Sequence, residues 1–155
     1  MRRKFLSAVL IGAALSLPVL GSDEDHALGI DYPDYPAAPG RQSEEQAEAK
    51  SGGCMSCHTQ TDRKTMHANP GVVLGCTDCH GGDAGIENPD GVGPQAPAYE
   101  HAMEQAHVSA RFPKAWGGSS RNPERSYTLL NRESAEFVRF VNPGDLRVAS
   151  ESSGA

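Results

Sequence analysis

No run of alternating apolar and polar residues long enough to build a sheet occurs anywhere in this 155-residue chain. Large apolar side chains are scarce once the N-terminal segment is set aside. Much of the 37% apolar content lies in that segment, and 15 of the 17 glycines and 10 of the 11 prolines interrupt the remainder. A chain so short of core needs a staple, whether disulfides, a metal or a cofactor. Basic charge is lacking too. Without residues 1–21, 11 Lys and Arg face 20 Asp and Glu, a formal charge of −9. That balance argues against a nucleic-acid partner. It favours solubility, with steering toward a basic partner surface as the functional alternative. Cysteine is confined as well: all four residues fall within "CMSCH" at 54–58 and "CTDCH" at 76–80.

The N-terminal segment has the layout of a secretory signal peptide, in which Arg2, Arg3 and Lys4 precede an apolar run from Phe5 to Leu20. The run is shorter than the ~20 residues a spanning helix needs, is interrupted by Pro18, and ends with Val19 and Gly21 at cleavage spacing. Cleavage near Gly21 predicts an exported chain with no membrane span, periplasmic or extracellular; an uncleaved anchor is the alternative. No cysteine lies near the cleavage site to accept a lipid. The expected organisation is a signal peptide at 1–21, an extended acidic, proline-rich arm at 22–42, one domain at 43–149 and a flexible tail at 150–155.

Local signals predict helices with long irregular connections. Ser43 and Gln46 stand at capping-box spacing, and Lys50 and Gly52 close that helix just before Cys54. "GGDAGIENPDGVGPQAP" at 81–97 reads as loop, and a second helix is expected from about Ala98 to Ala110, closed by Pro113. "FPKAWGGSSRNPERSY" reads as loop again. In "LLNRESAEFVRFV" the residues Phe137, Phe140 and Val141 recur at helical spacing before the turn "NPGD" at 142–145. The fold class expected is mainly α with much irregular structure and few or no strands.

The repeated pentapeptides admit several chemistries. Two CxxC pairs separated by 18 residues match a four-cysteine zinc site. An even cysteine count in an exported chain also permits disulfides. A thioredoxin-like redox pair expects a βαβ setting that is absent here. The histidines decide. With six histidines in 155 positions, one following both pairs by accident has a chance of roughly 0.0015. Covalent haem c accounts for the coincidence: Cys54 and Cys57, and likewise Cys76 and Cys79, would each bind the two vinyl groups of one porphyrin, with His58 and His80 as proximal iron ligands. Two haems would also serve as the interior that this chain lacks.

Four histidines remain for the distal iron positions. His67 lies nine positions from both His58 and Cys76 and is the first candidate. His101 and His107 share the second helix and stand roughly 120° apart around it, so only one can face a given haem. His107 shares a face with Tyr99, Met103 and Ala106 and is the favoured ligand, leaving His101 exposed. His26 in the arm is expected in solvent. Met66 or Met103 could instead take one distal position and raise that haem's potential, though as gap-fillers they need no such role. Bis-histidine ligation with His67 and His107 leaves no open iron site, which favours electron transfer over substrate chemistry.

"TMHANPGVVLGCTDCHGG" resembles the histidine followed by CxxCHGG found in multihaem c-type cytochromes of the bacterial periplasm and outer surface. "AHVSARFPKAW" and "NRESAEFVRFVNPGDLRVA" are similar to segments ahead of further haem motifs in larger members. The resemblance covers most of residues 50–149. It implies a small haem-organised cytochrome fold, distal ligation by His67 and His107, and redox-protein partners, including other multihaem cytochromes. In larger members the phrase like "NPGDLRVA" leads into another CxxCH, whereas here "SESSGA" comes next. The expectation is therefore either a two-haem electron carrier or the front piece of a longer cytochrome, with assembly into an oligomer or haem chain open. A small reductase or peroxidase, with one open iron site and His101 or Glu104 as acid-base group, is the enzyme alternative.

Overall fold

The computed structural model of the chain describes residues 26–59, 71–116 and 127–154, with Tyr127 and Thr128 described by their backbone alone. The expected signal peptide and His67 with Met66 lie outside the described residues. Within them the protein is helical with long irregular connections and no strands. The helices are α1 (Glu44–Ala49), α2 (Gly52–Cys57), α3 (Cys76–His80), α4 (Pro97–Ala106), α5 (Pro113–Trp116), α6 (Tyr127–Leu130), α7 (Ala135–Val141) and α8 (Ala149–Ser152). None is long and apolar enough to cross a membrane.

Short-range chemistry sets several helix ends as the sequence predicts. Ser43 Oγ accepts from the Gln46 amide at 3.2 Å, while Gln46 Oε1 accepts from the Ser43 amide at 2.9 Å, a complete capping box for α1. Ser134 caps α7 through the Phe137 amide, and Asp145 N–H closes the NPGD turn on the Asn142 carbonyl at 2.9 Å.

Long-range packing overrides the local reading elsewhere. The second helix stops at Ala106 and does not continue to Ala110, because the Asp83 amide donates to the Ala106 carbonyl at 2.9 Å and His107 turns into extended backbone. From there Val108 and Ala110, alternate residues of an extended segment, are both buried. "FPKAW" is not all loop: α5 carries Trp116 into the core, and the Glu133 carboxylate accepts from the amides of Arg111 and Phe112 and from Trp116 Nε1.

The arm is extended, as expected, but it lies on its own chain. Leu28 N–H donates to the Arg111 carbonyl, Tyr32 Oη to Ser109 and Ala38 N–H to Glu151, and Tyr32 and Tyr35 pack on the core. The tail expected at 150–155 is likewise held through Gly154: α8 is helical, and buried Ser152 donates to the Pro143 carbonyl. Both segments find acceptors and apolar contacts on parts of the chain far away in sequence, which no local pattern reports.

Val108, Ala110, Trp116, Leu130, Phe137, Val138 and Val148 form a single apolar core. All of it derives from the C-terminal part of the chain. Around the two pentapeptides the buried groups are small or polar: Ala47, Ser51, Gly53, Gly75 and Asp78. The missing core foreseen from composition is thus confined to the half of the molecule that carries the cysteines.

Candidate cofactor-attachment site

The four cysteines lie on two short helices, α2 and α3, and one junction brings these together. Lys50 and Ser51, between α1 and α2, receive the start of α3: Thr77 N–H and Oγ1 donate to the Lys50 carbonyl, and Cys76 N–H donates to Ser51 Oγ at 3.0 Å. Gly75, which precedes α3, sits so close to the Ala47 carbonyl and Lys50 Cβ that a side chain there would collide with both. On the other side, Gly53 N–H donates to the Ala84 carbonyl at 2.8 Å, and Ser56 Oγ accepts from the Asn88 amide at 2.8 Å. The loop after the second motif is therefore a cradle for the helix of the first.

Asp78, inside "CTDCH", organises the junction. Its carboxylate accepts from the Gly75 amide at 2.8 Å, Lys50 Nζ at 2.6 Å and Gln42 Nε2 at 2.5 Å. Burial pushes its pKa up, but the hydrogen bonds from Lys50, Gln42 and Gly75 together outweigh that and hold the carboxyl below its ordinary range. The thiols of Cys54 and Cys76 are hydrogen-bonded to each other, which lowers the pKa of Cys76 and raises that of Cys54. Cys79 Sγ donates to the Ser152 carbonyl, and Cys57 lies against Tyr99. All four thiols are free, and among the described residues no three His, Cys, Asp or Glu side chains converge as a metal cage would require. One thiol of each motif, Cys54 and Cys76, thus meets the other, while Cys57 and Cys79 point to Tyr99 and Ser152, an arrangement that does not gather all four thiols.

The histidines of the two motifs are held differently. His80 closes α3, and its Nδ1 lies 2.7 Å from the Phe140 carbonyl. A carbonyl oxygen only accepts, so Nδ1 carries the proton and donates; in the neutral ring Nε2 keeps its lone pair for a metal. His58 caps α2 at an exposed edge, and its ring centre stands 6.2 Å from that of His107, with the planes 48° apart. Two imidazoles that share one metal ion at bonds of about 2 Å hold their centres roughly 6 Å apart.

His107 is half-buried at the end of α4, and its buried Nδ1 has no hydrogen-bond partner among the described residues. Burial, and then the neighbouring His58, lower its pKa to about 4, so the ring is neutral at pH 7 as a metal ligand must be. Its ring also packs on Phe140 at 4.9 Å, and Phe140 meets His80 edge-on at 6.5 Å. One aromatic side chain therefore touches a histidine of each site.

Of the sequence candidates, Cys54, Cys57, His58, Cys76, Cys79, His80 and His107 are brought into one region, while His101 and His26 are exposed. Reading the sequence missed Asp78, Lys50, Gln42 and Arg139. Two signals could have pointed to them: the acid that distinguishes "CTDCH" from "CMSCH", and an arginine inside the apolar run "FVRFV".

The donor set fits haem c: two CxxC motifs, one ring nitrogen cleared for a metal by its tautomer, and, 6.2 Å from the other motif histidine, a neutral imidazole that also has a buried nitrogen without a partner among the described residues. Comparison with protein-family models, with curated proteins and with solved structures finds no match. The functional reading therefore stands on the chain's own residues.

Proposed function

We propose that the chain is an exported dihaem c-type cytochrome, an electron carrier and not an enzyme, that passes single electrons between redox proteins outside the cytoplasm. The observation that carries this reading is the pairing of His58 with His107 at 6.2 Å beside the first CxxC pair. The second motif adds the fixed tautomer of His80. Haem bound at these positions would supply a one-electron couple.

The chain's part is to bind, space and shield. Cys54 with Cys57, and Cys76 with Cys79, would anchor one porphyrin each, and the Lys50–Ser51 junction holds the two anchors at a set separation. His58 and His107 would hold the first iron; His80 would hold the second, with His67 the candidate for its further ligand. The small and polar residues buried around the motifs leave that half to be filled by something apolar, which two porphyrins provide.

The deciding experiment is a pyridine haemochrome assay and optical spectrum on protein made in a host competent for cytochrome maturation. Two haems per chain, both low-spin, are expected. Colourless protein with zinc or cystine at the pentapeptides overturns the reading.

A further inference from the structure

The two motifs occupy unequal surroundings. The first ends at an exposed edge, where His58 and Thr59 face solvent. The second is enclosed: α3 packs on α7 and α8, and Cys79 and His80 bond to the carbonyls of Ser152 and Phe140.

Fixed charge separates them further. Arg139 is only 2% exposed. Its Nε donates to the Cys79 carbonyl at 3.2 Å, its Nη2 to those of Asp78 at 2.6 Å and Pro36 at 2.8 Å, and its Nη1 to that of Tyr35 at 2.9 Å. Every acceptor is a neutral backbone carbonyl, and among the described residues no carboxylate pairs with the guanidinium. The Cys79 thiol feels the Asp78 carboxylate as well as Arg139, the acid more strongly, but that carboxylate is itself answered by Lys50 at 2.6 Å. Hydrogen bonds satisfy the donors of Arg139 but leave its charge uncancelled in a poorly hydrated place. Among the described residues the first motif has no such cation; the acid felt by Cys54 is Asp83.

One-electron reduction removes a unit of positive charge from the centre that receives it. A buried cation beside that centre therefore favours the reduced state, and so does burial itself. We propose, resting on the dihaem reading above, that Arg139 makes the second CxxCH site the higher-potential member of the pair. One electron leaves a reduced protein donor, enters at the exposed first site and comes to rest at the enclosed second site, until an oxidised protein acceptor removes it. No bond is made or broken and no proton moves.

The test is an optical redox titration of the mature holoprotein. His107→Ala assigns the components, since it removes a ring that faces His58 directly and reaches His80 only through Phe140. The component left unperturbed by that change is expected to be the higher one. Arg139→Gln should bring the two components together by at least a tenfold change in electron distribution, which is about 59 mV for a one-electron couple. Arg139→Lys keeps the charge and should retain the separation, even though both variants lose thermal stability. Equal shifts in the two Arg139 variants would mark a packing effect and overturn the proposal; so would an unchanged separation in Arg139→Gln. If Arg139→Gln does not fold, the order of potentials in the unaltered protein still decides, because a higher potential at the His58 site contradicts the proposal outright. Protein carrying two haems in the wrong order defeats only this inference, whereas a haemochrome count below two defeats the reading beneath it.

Discussion

His80 Nδ1 donates to the Phe140 carbonyl at 2.7 Å, joining the end of the second cysteine motif to the last turn of α7 across 60 positions of sequence. Because the acceptor is backbone, the bond depends on where α7 sits, and α7 is seated by Phe137 and Val138 in the apolar core. The His80 ring is thus positioned by the seating of α7 on the core. Phe137→Ala should lower stability by about 3–5 kcal/mol, the usual cost of emptying an aromatic core position. Guanidinium unfolding measures it, and a loss below about 1 kcal/mol would mean that α7 is not anchored there.

Replacing His107 should affect one haem only. On the dihaem reading proposed above, His107→Ala would take one of its two histidines from the first iron, so one of two low-spin centres should become high-spin in the optical and paramagnetic resonance spectra. His101→Ala, at an exposed position of α4, should leave both spectra unchanged. The opposite pattern would move the distal ligand to His101.

Acid stability should depend on Asp78 and Asp145. Hydrogen bonds from the Arg147 side chain, then its amide, pull Asp145 down to about 2 from an ordinary 3.8, and Asp78 is likewise lowered. For a group whose folded value is depressed, the stabilisation is complete above the unfolded value and disappears as pH falls through the folded one. The protein should therefore lose stability on going from about pH 4 toward pH 2. Asp78→Asn should be less stable at pH 7 but show a shallower decline over that window. Thermal midpoints measured between pH 2 and 7 check the sign, and parallel curves for variant and parent would rule out Asp78 as a source of the decline.

Removing the attachment points should unfold the molecule unevenly. With all four cysteines changed to serine, Trp116 remains in a core built from residues 108–148, whereas α1 to α4 surround the region with few large apolar side chains fully buried. The variant should keep a buried, blue-shifted tryptophan fluorescence while losing part of its helical circular dichroism. Loss of both signals together would show one cooperative unit. Full retention of helix would mean that the motif half needs no cofactor to fold.

What the sequence determined by itself was local. The spacing of the two CxxCH units, the Ser43 and Gln46 box, the NPGD turn and the absence of strand periodicity each depend on residues a few positions apart, and each is found in the structure. The helical-face argument also separated His101 from His107, although it placed His107 within a helix that in fact ends one residue before it. Only the tertiary structure decided which distant groups meet. It seated His107 against His58, laid the acidic arm and the tail on their own chain, and enclosed Arg139 among four carbonyls. A buried polar group must find partners wherever the folded chain offers them, and a pattern read along the chain carries no record of where that will be.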